Sequence, residues 1–234
     1  MRIYNYIPQK YWEAFIAHGF YLKPASEFAD KLEVRYGTIH RSLLNDVFWP
    51  DAVEEAFRIR ELSECLRLAL VSCWTVEARC RECMWSIYGQ NGPAVRVGVD
   101  RDRLESAFRS QIKILKSFGA MGMVDYGNKT HSHVDPFAGG PDYLGSIDDL
   151  SFPNPSAYNT YLADLFLKHK YYEFEEEYRL TRFAKNAGHA EWIDPQDSVI
   201  EIQFSPIRSC DADSWIDRFE SRFRGAKVVS CDGS

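Results

Sequence analysis

The sequence predicts an α+β fold, a mixed and mostly antiparallel sheet with flanking helices, on three observations. Residues 2–6, 95–100 and 178–183 alternate apolar and polar side chains with the period of two that a strand imposes. Helical spacing appears elsewhere and stops at glycine: Tyr11, Trp12, Phe15 and Ile16 precede Gly19, and Trp215, Ile216, Phe219 and Phe223 precede Gly225. A continuous apolar, β-prone run, 68–75 (LALVSCWT), suits a strand buried on both sides.

In order, the chain reads as a strand at 2–6, a helix from Gln9 to Gly19, and a strand GFYLKP closed by Pro24. Residues 26–33 form an acidic loop or helical turn. Residues 35–67 read as helix, broken into two pieces at Trp49-Pro50-Asp51. After the apolar strand at 68–75, a helix covers 77–88 and ends at Gly89, Asn91, Gly92 and Pro93. A strand at 95–100 leads to a short helix, 103–110, capped by Asp100 or Asp102. Residues 111–126 read as two β segments around Gly119 and Gly122, and 127–155 as one long loop or flap. A helix at 158–167, strands near 178–183 and 198–204, a helix capped by Asp211 or Asp213, and a last strand at 227–230 complete the chain.

With 234 residues the chain is long enough to bury a core, and the expectation is a single domain over 1–234. A net charge of -6 without a Lys/Arg block argues against nonspecific binding to duplex DNA, which works by neutralising phosphates. No apolar run approaches the roughly 20 residues of a membrane helix, and the opening MRIYNYIPQKYWEAF lacks the apolar centre of a signal peptide. The expected location is the cytoplasm, with the six cysteines reduced. Cys80 and Cys83 form a CxxC, and His131, His133 and Asp135 lie some fifty residues away. A structural zinc site usually brings two tightly spaced pairs together, so no metal is assigned. Nothing matches a P-loop, GxGxxG, GxSxG or HExxH pattern.

The most concentrated chemistry is KHKYYEFEEEYR, Lys168 to Arg179. On a strand, residues two apart share a face, so Glu175 and Glu177 would stand side by side while Tyr178 and Leu180 face a core. Paired carboxylates suit an active site. The bland reading is a solvated strand edge with an ion pair worth about 0–1 kcal/mol. Lys168 is either a surface residue or a point charge for a phosphate. Trp85 and Tyr88, three apart on a helix, share a face and serve equally for core packing or for stacking on a base or sugar.

These blocks together resemble an uncharacterised bacterial family, a domain of unknown function often encoded near mobile elements and phage-defence genes. Its LYKY-like opening is matched by Ile3-Tyr4-Asn5-Tyr6, and its FNDPFE-like block by Phe28 to Glu33, which keeps Asp30 and Glu33. Its MWSHYA-like block is matched by Met84 to Gly89, followed by a strand from Ala94 to Asp100. The closing YEKEYR-like block keeps Lys168, Glu175, Glu177, Tyr178 and Arg179, with Tyr172 and Phe174 at its two aromatic positions. The order of elements is also similar to ADP-ribosyltransferases, in which a first-strand His or Arg holds NAD and a late Glu stabilises an oxocarbenium-like ribose. Here the opening strand offers Tyr4 and Tyr6 and no His, with Arg2 the nearest base.

What the resemblance implies is a nucleotide-binding cleft in a phage-defence or toxin–antitoxin protein, with NAD as a possible substrate, no certain cofactor, and a protein partner from the same operon. Glu177, Glu175 and Tyr88 would form the catalytic set for glycosyl transfer or cleavage. Tyr4, Tyr6, Asp30, Glu33, Trp85, Lys168 and Arg179 would bind substrate. The alternative is a non-catalytic sensor or partner-binding module. A third reading, a Mg²⁺ nuclease built on Asp30, Glu33, Glu175 and Glu177, has no motif behind it.

Overall fold

The computed structural model describes residues 1–27, 68–76, 82–126, 142–145, 165–166, 168, 170–183, 191–207 and 211–229. In chain order these form β1 (Arg2–Pro8), α1 (Trp12–His18), β2 (Phe20–Pro24), β3 (Ala69–Thr75), α2 (Glu82–Tyr88), β4 (Ala94–Asp100), α3 (Arg101–Ile114), β5 (Phe118–Met123), β6 (Asp142–Leu144), β7 (Glu177–Phe183), β8 (Glu191–Ile193), β9 (Val199–Phe204), α4 (Ala212–Arg222) and β10 (Lys227–Val229). A 3₁₀ turn covers Lys170–Glu175. The fold is α+β with mostly antiparallel pairing; β10 runs parallel to β9. Among the described residues no helix is long and apolar enough to cross a membrane.

The chain divides into two compact units, Met1–Tyr21 with Cys73–Gln111 and Trp192–Ser234, and Leu22–Ser72 with Ile112–Glu191. In the first unit β4 lies between β1 and β9, with Tyr4 opposite Gly98, Tyr6 opposite Arg96, and Gln203 opposite Arg96 on the other side. Residues directly opposite in an antiparallel pair share a face. One face therefore carries Ile3, Ile7, Val95, Val97, Ile202 and Phe204, all buried. α1 and α4 cover it with rings: Trp12 meets Phe204, Trp215 and Phe219 with centroids 5.2–5.7 Å apart, and Phe15 meets Phe20 and Phe223 at 4.9 Å. The Trp12 indole N–H donates to the Ile7 carbonyl at 2.9 Å, so this core ring buries no orphan donor. Each such ring contributes about 1.5–3 kcal/mol by leaving water.

The opposite face carries Tyr4, Tyr6, Arg96, Gly98, Glu201 and Gln203, and β4 is buried from Ala94 to Val99. The alternation in 95–100 thus marks a strand covered on both sides, not one with a wet face. In the second unit β5 pairs with β7 over six residues, Phe118 opposite Phe183 through Met123 opposite Tyr178, and β6 pairs with β5 beyond it. All seven residues of β7 are buried, again unlike the half-buried strand expected from its pattern.

Three other expectations change. The helix expected at 103–110 runs from Arg101 to Ile114, with the Asp100 carboxylate accepting from the Arg103 N–H at 3.1 Å. Gly119 and Gly122 lie in one strand rather than between two, because Gly119 is needed where the Ile112 side chain and the Thr181 carbonyl close over it. Within the stretch read as one loop, Asp142–Leu144 is a strand. The segment 35–67, the acidic turn beyond Glu27 and most of 127–155 lie outside the described residues.

Gly19 ends α1 at φ 96, where any Cβ would strike the Ile193 carbonyl oxygen and lie 2.6 Å from Pro195 Cδ. Gly19→Ala is expected to cost about 1–3 kcal/mol or more. A urea midpoint unchanged from the parent would contradict that placement.

Candidate functional site

The site residues named from the sequence that lie among the described residues fall into two groups, one in each unit. In the second unit, Lys168, Glu175, Glu177 and Arg179 make one buried network, each no more than 5% exposed at the side chain. The Arg179 fork grips Glu177, with Nε to Oε1 at 2.7 Å and Nη2 to Oε2 at 2.9 Å, while Nη1 donates to the Leu165 carbonyl at 2.5 Å. Lys168 Nζ bridges the two acids, 3.2 Å from Glu177 Oε2 and in direct contact with Glu175 Oε2. Nζ also sits 4.6 Å from the Tyr172 ring centroid, a cation–π contact.

The arrangement differs from the one expected. Glu175 belongs to the 3₁₀ turn and not to β7, and Glu176, at φ 43, turns the chain between the two acids. Strand alternation therefore does not align them; Lys168 does. The bland reading of a solvated edge also fails, because burial removes the screening that makes exposed pairs weak. Two carboxylates and two cations sum to no net charge, the condition under which a buried cluster is tolerated. Lys168 is neither a surface residue nor an open phosphate ligand, since both glutamates occupy its ammonium.

Tyr126 joins this network without any mark of it in the sequence. Its hydroxyl accepts the Glu177 backbone N–H at 2.8 Å. Burial first, and then the neighbouring Glu177 charge, push this phenol above its usual range.

In the first unit the second group gathers on the polar face of β1 and β4. Tyr6 meets Trp85 edge-on at 4.9 Å and lies near-parallel to Tyr88 at 6.1 Å. Trp85 is buried, whereas Tyr6 and Tyr88 are half-exposed. Beside them the Tyr4 ring lies over Gly98, where an added Cβ would stand 3.0 Å from Tyr4 Cε1. The Arg96 guanidinium stacks on that ring at 3.7 Å from its centroid and donates from Nη1 to Gln203 Oε1 at 3.1 Å. Arg96, Gln203 and Glu201 were missed as site residues. The available clue was polar side chains every second residue in otherwise apolar strands.

Asp30 and Glu33 lie outside the described residues, as do Cys80, His131, His133 and Asp135. Cys83 is exposed, and among the described residues no three His, Cys, Asp or Glu side chains gather as a metal site.

Lys168→Met should leave two buried carboxylates facing one arginine and cost about 3–5 kcal/mol in urea unfolding; a loss below one would mean the network is hydrated. A second expectation concerns pH. With its folded value raised above the unfolded value near 10, Tyr126 contributes stability that is present below about pH 10 and is lost as pH rises further. Tyr126→Phe should therefore flatten the fall in unfolding midpoint between pH 9 and pH 11, and an identical slope would refute the buried phenol.

No protein-family model, no curated protein and no solved structure matches the chain.

Proposed function

We propose that the chain is a nucleotide-binding module, a non-catalytic sensor, whose ligand site is the half-exposed pair of rings Tyr6 and Tyr88. The observation that carries this reading is the near-parallel pair of Tyr6 and Tyr88, half-exposed and backed by the buried Trp85. A nucleotide asks for rings for its base, worth about 1–3 kcal/mol per stacked base; Arg96, 3% exposed and held by the Tyr4 ring and Gln203, is buried on the same face behind them.

The glycosyl-transfer reading requires Glu177 to stabilise a cationic ribose. Its carboxylate is instead held by the Arg179 fork and Lys168 and is 3% exposed at the side chain. An anion already neutralised by two cations has little to offer a developing positive charge. This favours the closing block as a structural clamp that fixes the 3₁₀ turn against β7. In line with the resemblance, the module would report a nucleotide to a partner protein of a phage-defence or toxin–antitoxin system.

Calorimetric titration of the full chain with ATP and with NAD tests the reading. Saturable binding of at least one is expected, without nicotinamide release, and Tyr88→Ala should weaken it about tenfold. Absence of binding at millimolar nucleotide removes the proposal. Nicotinamide release that disappears in Glu177→Gln would restore the catalytic reading in its place.

A further inference from the structure

We infer that Tyr6 and Tyr88 form a two-jawed clamp that takes a planar base between its rings, an inference that rests on the nucleotide-binding reading above. The two half-exposed rings lie 26° from parallel, with centroids 6.1 Å apart. A flat ligand stacked on both needs two contacts of about 3.5 Å, or roughly 7 Å between the rings. The pair as it stands is therefore closed, and a base enters only where one ring gives way by about 1 Å or more.

The fold decides which ring moves. Tyr6 sits inside β1, which pairs with β4 at every residue from Arg2 opposite Asp100 to Pro8 opposite Ala94. The buried Trp85 also meets it edge-on at 4.9 Å. Tyr88 is the last residue of α2, a helix of seven residues whose end is the part that frays. Because Trp85 anchors that helix one turn earlier, what yields is Tyr88 and the turn behind it. The turn runs from Gly89 to Gly92 through Gln90 at φ 57 and Asn91 at φ 55, both exposed and both in the left-handed region that disfavours residues other than glycine. Beyond it the chain is fixed again, since the Pro93 carbonyl accepts the Gln9 N–H at 2.9 Å. Residues 89–92 are thus a hinge between an anchored strand and the second jaw. A side-chain tie spans it, the Ser86 hydroxyl donating to Asn91 Oδ1 at 2.7 Å. Opening exchanges one ring–ring contact for two ring–base contacts, a gain that a ligand without a flat face cannot return.

Proton NMR of the full chain with ATP tests the clamp. In the free protein the Tyr6 and Tyr88 rings should cross-relax with each other, with the signals assigned from Tyr6→Phe and Tyr88→Phe. With ATP bound that signal should fade, and adenine H2 and H8 should cross-relax with both rings. Asn91→Ala, which cuts the tie across the hinge, should bind ATP about threefold more tightly. Adenine contacts to one ring alone, with the Tyr6–Tyr88 signal intact, would overturn the clamp and leave the nucleotide site standing. Equal or weaker binding by a folded Asn91→Ala protein would overturn it too; should that variant not fold, the parent's spectra decide. If ATP does not bind, the nucleotide reading falls and takes this inference with it.

Discussion

A strand covered on both faces has no solvent side to which a polar residue can turn, and that constraint shapes both units of this protein. β4 carries Arg96 and β7 carries Glu177, Arg179 and Arg182, and each strand is buried almost throughout. Every such side chain must find its partner within the fold. Arg96 finds a ring and an amide; Glu177 finds an arginine fork and a lysine. The chemistry-bearing residues are thus products of the packing before they are anything else.

Both solutions bury the charge, but they differ in what stands beside it. The Lys168–Glu175–Glu177–Arg179 cluster is closed: its charges cancel and its hydrogen-bonding atoms are turned on one another. The Tyr4–Arg96 stack uses the flat face of the guanidinium against the ring. Arg96 is itself 3% exposed and its Nη1 is held by Gln203, so its charge is closed as well. Half-exposed Tyr6 and Tyr88 stand next to it. A recognition face is more readily built on those exposed rings than on either buried charge.

Much of the fold was legible in the sequence, because strand and helix periods and glycine stops are local. β1, α1, β2, β3, β4, β9, α4 and β10 all lie where those signals put them. β8, three residues long, is too short to carry a period. The site was harder to read for a non-local reason. The spacing of Glu175 and Glu177 suggested a shared strand face, yet their alignment depends on Glu176 taking a left-handed turn and on Lys168 seven residues earlier. Nor could alternation reveal that β7 is buried on its charged side, since a polar residue looks the same in sequence whether water or a buried partner receives it. Arg96 and Glu201 join the Tyr4 face only through cross-strand register, which single-chain periodicity does not encode.

The Tyr4 ring lies where a side chain on Gly98 would have to go. Residues 4 and 98, distant along the polypeptide, therefore occupy one shared volume between two strands, and the closeness of Glu201 to Tyr4 depends on how it is divided. During divergence a bulkier residue at 98 would have to be accompanied by a smaller one at 4, so the two positions are bound to change together.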